Sequence, residues 1–201
     1  MKKNNLMQGV EYSHWILKQH LEAGDYVVDA TVGNGHDTLF LAKLIGENGK
    51  VYGFDVQKMA LKRAEERLKE NNVFDRVKLI FDGHENINEY ITEDKIAAIL
   101  FNLGYLPGSD KEVITKAKTT IKAVKSSIKI LKQEGIIVLV IYPGHNGGEK
   151  EKQSIIEYAK NLDRKKYNVL HYYYLNQENK PPEVMVIKKR LKHLPGRSLT
   201  M

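Results

Sequence analysis

The sequence predicts an α/β fold: a doubly wound sheet of seven strands, mostly parallel, with a C-terminal antiparallel strand. Three observations carry this. Apolar β-rich runs alternate with helix-spaced segments from Tyr26 to Leu162, as in a parallel sheet covered on both faces. The first run, Tyr26-Val27-Val28-Asp29, passes through Gly33-Asn34-Gly35 straight into a helical pattern, the strand–glycine turn–helix arrangement of nucleotide-cofactor sites. The last two runs, Tyr167–Leu175 and Glu183–Lys189, are joined by a loop too short for a crossover, which leaves only an antiparallel pairing. Together these describe a Rossmann-like sheet.

Each element follows from local pattern. Gln8 to Leu21 is amphipathic, with Val10, His14, Leu17 and Leu21 on one side, and Gly24-Asp25 stops it. After the glycine turn, Asp37 and Thr38 open a helix carrying Leu39, Phe40, Leu41, Leu44 and Ile45 at helical spacing. Lys50–Asp55 is the second strand. Lys58–Lys69 is a helix with Met59, Ala60, Ala64 and Leu68 expected inward. Val77–Phe81 is the third strand, closed by Asp82-Gly83-His84, and Asn86–Ile91 a short helix. Ile96–Phe101 is a fully apolar fourth strand with a loop from Asn102 to Gly108. Lys111–Lys132 is expected to be one long helix and Gly135–Ile141 the fifth strand. The loop Tyr142–Gly148 leads into a helix ending near Leu162.

The 201 residues suit a single domain over 1–201, with an N-terminal helix at about 8–22 and a basic tail at about 190–201. There is no cysteine, so a disulfide framework, a thiol nucleophile and a cysteine zinc site are all excluded. No histidine spacing suggests a metal. No apolar run approaches the ~20 residues of a membrane span, and the first residues lack a signal-peptide pattern; no membrane partner and a cytoplasmic location are the expectations. The net charge of +7 favours a polyanionic partner. Five of those charges, however, lie in Lys188, Lys189, Arg190, Lys192 and Arg197, which leaves the body only about +2.

Ligands of open α/β sheets bind beyond the carboxyl ends of the strands. Four consecutive strand ends carry candidate cofactor contacts: Asp29, Gly33, Asn34, Gly35, Asp37 and Thr38 at the first; Asp55, Val56 and Gln57 at the second; Asp82, Gly83 and His84 at the third; Asn102 at the fourth. Asp55 stands where an acid can hold both ribose hydroxyls. Asp82 could accept from the adenine amine, Asp29 could pair with an amino group, and His84 is expected near the adenine. A nicotinamide dinucleotide is the alternative cofactor, but its third glycine is replaced by Thr38. A doubly wound sheet ending in one antiparallel strand is the architecture of class I S-adenosylmethionine methyltransferases.

The segments DATVGNGHDT (29–38), GFDVQ (53–57), FNLGYLPGSDK (101–111), YPGHNGGEKE (142–151) and NQENKPPEVMVIKK (176–189) carry a closer resemblance. From about Ser13 to Lys189 the chain resembles the bacterial tRNA 5-(aminomethyl)-2-thiouridine methyltransferase family, first labelled rRNA methylase-like. The first two segments are general to methyltransferases; the combination is specific. Thr31 departs from the general pattern, where a glycine often stands. The resemblance implies S-adenosylmethionine as cofactor, the anticodon stem-loop of tRNA as partner, and methylation of the wobble 5-aminomethyl-(2-thio)uridine to its methylaminomethyl form. A homodimer is compatible with it. An rRNA or small-molecule N-methyltransferase, and a non-catalytic RNA-binding module on this fold, are the alternatives.

Methyl transfer needs a neutral amine ~3–3.5 Å from the methyl carbon. Asn102-Leu103-Gly104-Tyr105 occupies the place of the loop that positions the acceptor in amino-methylating enzymes: Asn102 Oδ1 and the Leu103 carbonyl to accept from the amine, Tyr105 as a wall. His145 is the candidate base, with an unperturbed pKa near ~6.5, and Tyr142 could stack on a base or hold the amine. His14 is expected to support the site from the N-terminal helix. In the helix 111–132, Ile114, Ala117, Ile121, Val124, Ile128 and Leu131 form the expected core stripe. Lys118, Lys122, Lys125, Lys129 and Lys132 form a basic ridge beside it. Lys111, Lys150, Lys152 and Arg164-Lys165-Lys166 add candidate phosphate contacts.

Overall fold

The computed structural model describes residues 6–91, 95–104, 116–144 and 147–192. One seven-stranded sheet is formed by β1 (Tyr26–Asp29), β2 (Lys50–Asp55), β3 (Val77–Phe81), β4 (Ile96–Asn102), β5 (Leu131–Ile141), β6 (Tyr167–Tyr172) and β7 (Glu183–Lys189). Their order is β3-β2-β1-β4-β5-β7-β6. β1 to β5 pair in parallel, whereas β7 runs antiparallel to both β5 and β6. The expected class and the lone antiparallel strand are both present. The order reverses at β1/β4, which is where an open sheet leaves a crevice for ligand.

The helices are α1 (Gly9–His20), α2 (His36–Ile45), α3 (Lys58–Glu70), α4 (Ile87–Tyr90), α5 (Ala117–Ile130) and α6 (Gly148–Lys160). Two buried clusters lie on opposite faces of the sheet. One packs β-strand residues such as Phe54, Ile99, Phe101 and Leu139 against α5 and α6; the other packs Val27, Leu100 and Val138 against Leu17 of α1, Leu41 of α2 and Leu68 of α3. α1 starts on a Gln8/Glu11 capping box. A Cβ at Gly9 would lie 2.8 Å from the Pro182 carbonyl oxygen, so α1 packs directly on the β6–β7 loop. No described helix is long and apolar enough to cross a membrane.

Four expectations need correction. Met59 is 60% exposed; the buried residues of α3 are Ala60, Ala64 and Leu68, and Met59 lies one position off that line. The helix before β5 ends at Ile130, and the strand begins at Leu131 because Leu131 pairs with Ile96. Glu134, at φ 65°, and a register shift then carry the chain into the regular ladder. Lys132 therefore leaves the basic ridge and bonds Asp25 at 2.5 Å. The core stripe of α5 is also rotated. Thr120, Ala123, Val124, Ser127 and Ile130 are buried while Ile121 and Ile128 are partly so, because Thr120 Oγ1 donates inward to buried Glu151 at 2.6 Å. Residues 111–115 of the expected helix lie outside the described residues; the 14 residues of α5 span ~21 Å.

Candidate active site

The turn after β1 is built from short polar contacts around two left-handed glycines. Gly33 and Gly35 have φ 52° and 76°, a region where a Cβ is strained. A Cβ on Gly35 would also meet Ala64 Cα at 2.8 Å, so only glycine lets the turn sit against α3. Arg67 Nε fixes the turn from α3 by donating to the Asn34 carbonyl at 2.8 Å. Asp29 is fully buried beneath it. Its Oδ2 accepts from Thr38 Oγ1 at 2.6 Å and its Oδ1 from the Thr31 N–H at 3.1 Å. Burial, and then the neighbouring Asp37 carboxylate, push its pKa up to about 7. Asp29 and Thr38 thus brace the turn from inside, and neither lines the cavity above it.

That cavity, of ≈830 Å³, lies over the carboxyl ends of β1, β2 and β4, within the usual size of a cofactor pocket. Asp55 faces it with both oxygens tied: Oδ2 accepts from the Gly33 N–H and Oδ1 from the Gln57 N–H, each at 2.8 Å. Burial raises its pKa against the pull of those two bonds. Each carboxylate oxygen keeps a further lone pair, so a ribose can still be held. Val56 and Gln57 line the same wall. Asp82 accepts from the Gly83 N–H at 2.7 Å, Asn86 Nδ2 at 3.0 Å and Tyr90 Oη at 2.9 Å. Desolvation opposes ionisation there, but the bonds from Asn86, Tyr90 and Gly83 outweigh it and hold the carboxyl below its usual range.

His84 supplies an orphan acceptor. Its ring is buried, Nδ1 lies 3.1 Å from the Ala30 carbonyl, and Nε2 is buried with no partner among the described residues. Burial lowers its pKa, so the ring is neutral, Nδ1–H donates to Ala30 and Nε2 is an acceptor enclosed by protein, although other atoms of His84 line the cavity. Buried acceptors are rarely left unpaired. At the cavity itself, the Gly33 turn and the Asp55 carboxylate suit an adenosine with ribose hydroxyl donors. A pyrophosphate-bearing dinucleotide fits less well: Thr38 fills the third glycine position and spends its hydroxyl on Asp29.

The opposite end of the cavity holds a relay that sequence reading found only in part. Asn102 Nδ2 donates to Asp37 Oδ2 at 2.9 Å, and Asp37 Oδ1 lies 2.7 Å from His14 Nε2. His14 stacks on Phe40 with ring centroids 3.9 Å apart. The Asn102 N–H is held by Thr31 Oγ1 at 2.8 Å, which explains a side chain where a glycine is usual. No described residue donates to Asn102 Oδ1, and the amide lines the cavity. Tyr142 lines it too; burial, then the Asp37 carboxylate, raise its pKa, so the phenol stays protonated. Tyr105, Lys111 and His145 lie outside the described residues. Lys116, Thr119 and Lys180 also line the cavity and were not anticipated; for Lys180 the only signal was its place in the 176–189 segment.

Lys118, Lys122, Lys125 and Lys129 are exposed along α5, and Lys150 on α6. Lys152 is instead engaged by Glu183 at 2.7 Å. No group of three or more metal-ligating side chains occurs among the described residues.

Known proteins share this fold and sequence. The family described as "Putative rRNA methylase" matches residues 51–188. An Arabidopsis thaliana protein, "tRNA (mnm(5)s(2)U34)-methyltransferase, chloroplastic", is 34% identical over 191 residues, covering 90% of this chain and 70% of that protein. A Clostridium thermocellum crystal structure described as a "putative rRNA-methylase" superposes with TM-score 0.90 at 43% identity, over 92% of this chain and 99% of that one. A Streptococcus mutans protein described as a "putative methyltransferase", solved in complex with SAH, superposes with TM-score 0.83 at 41% identity, over the same shares. The chain therefore belongs to the rRNA methylase family of S-adenosylmethionine-dependent methyltransferases.

Proposed function

We propose that this chain methylates the exocyclic nitrogen of 5-aminomethyl-(2-thio)uridine at the wobble position of tRNA, giving the methylaminomethyl form. The observation that carries the reading is the Asn102 amide. Its nitrogen is committed to Asp37, so its oxygen is the acceptor offered to a ligand, and an amine N–H is what an acceptor selects. The Arabidopsis relative, named for this modification, supports the same substrate.

S-adenosylmethionine supplies a methyl group on a sulfonium, open to in-line displacement. The residues around it bind and orient. Asp55 holds the ribose, and Gly33 lets the backbone approach the adenosine while Gly35 keeps the turn against α3. Asn102 Oδ1 and the Leu103 carbonyl take the amine's N–H groups, which aims the lone pair at the methyl carbon. Asp37 and His14 fix the Asn102 amide, and Tyr142 closes the wall. A primary amine is mostly ammonium at neutral pH, so one proton must leave before transfer; His145 is the proposed acceptor. Anticodon stem-loop recognition through Lys111, Lys118, Lys122, Lys125, Lys129 and Lys150, cytoplasmic residence and a homodimeric assembly belong to the same reading.

The test is transfer of labelled methyl to tRNA from cells lacking this protein, followed by mass spectrometry of the nucleosides. Conversion of the aminomethyl to the methylaminomethyl nucleoside is expected. Label entering rRNA alone, or no nucleic acid, rejects the reading.

A further inference from the structure

A second concavity of ≈790 Å³ lies between α5 and α6. Lys116, Lys118, Lys122, Lys125 and Lys150 line it, and Ile121 lies on its floor. Lys116 also lines the cofactor cavity, so the two spaces adjoin. Among the described residues none of these five lysines is ion-paired. Lys122 Nζ donates to the neutral Asn86 at 3.0 Å, and Lys125 sits over the Tyr158 ring at 5.6 Å. Among the described acids nearby, Asp82 is close enough to Lys122 for their charges to attract, whereas Glu151 is buried against Thr120 and Glu149 pairs with Lys152 and Lys180.

Five like charges converging on one concavity repel one another unless a polyanion joins them. Nucleic-acid backbones are held mainly by lysine and arginine contacts to phosphate. The apolar floor offers sugars and bases a surface without sequence-reading groups. We infer that this groove carries the sugar–phosphate backbone of the single-stranded RNA next to the target nucleotide and leads it past Lys116 into the active site. The inference rests on the RNA-methylating reading and sharpens it. The exposed ridge of α5 and the groove are not the same set: Lys129 is on the ridge but outside the groove, whereas Lys116 and Lys150 are in the groove but off the ridge.

The experiment measures binding of a labelled anticodon stem-loop by fluorescence anisotropy across a KCl series. The 201-residue chain is compared with Lys118→Gln/Lys150→Gln and with the charge-matched pair Lys62→Gln/Lys78→Gln, exposed on α3 and β3. Each lost phosphate contact to a single strand lowers the log–log salt slope by about 0.7, so the groove pair should lose about 1.4 while the control pair loses little. Lys129→Gln should cost less than Lys118→Gln. S-adenosylmethionine affinity checks that each variant is folded. Equal slopes for the two pairs, with tRNA still methylated by the wild type, overturn the groove and leave the substrate reading standing. Absence of methyl transfer to tRNA by the wild type overturns the reading and the groove with it.

Discussion

Truncating Asn102 to alanine separates its structural bond from its proposed chemical one. The structural part is the bond from Nδ2 to Asp37 Oδ2 at 2.9 Å. The Asp37 side chain is only 12% exposed, so water replaces the lost donor poorly. A hydrogen bond to a charged group contributes ~1.5–3 kcal/mol, which for a chain of this size lowers Tm by roughly 3–12 °C. The chemical part is the fixed acceptor at Oδ1; removing one preorganised polar contact typically costs ~100–1,000-fold in rate. Single-turnover methyl transfer to tRNA should therefore fall ~100-fold or more, while cofactor and tRNA affinities stay within a few-fold. Asp37→Ala should slow the reaction similarly by releasing the amide, and the double variant should be little worse than either alone. A rate loss under about tenfold for Asn102→Ala, or additive losses in the double variant, would refute the orienting role.

Three further outcomes are expected. Asp55→Ala should weaken S-adenosylmethionine binding, seen by calorimetric titration; it also unpairs the Gly33 and Gln57 N–H groups, so Tm should drop and Asp55→Asn should recover part of it. Asp29, with its pKa raised to about 7 in the fold against ~3.9 unfolded, binds its proton more tightly when folded. Its contribution to stability is full below about pH 4 and is lost as pH rises through about 7, so Asp29→Asn should flatten the decline of Tm over that window; an unchanged profile counts against the shift. Gly35→Ala, at φ 76° and 2.8 Å from Ala64, should destabilise by about 2–5 kcal/mol, from overpacking and the left-handed backbone together, and abolish cofactor binding; a wild-type melting curve would mean the turn relaxes.

The strand-end acids, the glycine turn and the succession of strands and helices were legible because each rests on neighbours in sequence. The roles of those acids were less so. Asp29 reads as a ligand from its place after a strand, yet its partner Thr38 follows nine residues later and closes over it. The His14–Asp37–Asn102 relay spans three elements, and no periodicity reports that α1 delivers a ring to the first residues of α2. Leu131 and Lys132 follow the helical spacing of α5, but the ladder with β4 claims Leu131, a tertiary preference that local pattern cannot carry. Lys180 lines the cavity only because the β6–β7 loop returns over it.

That return has a consequence for how the protein comes into being on the ribosome. β7 is made after the other six described strands, yet it lies between β5 and β6, and Pro182 just before it is what Gly9 of α1 rests on. Until β7 emerges, β5 is left with an unpaired edge, the kind of surface that nascent chains expose to aggregation. The seat of α1, and with it His14 in the relay, is likewise incomplete. The site is thus completed only after β7 has been made, when α1 meets the β6–β7 loop.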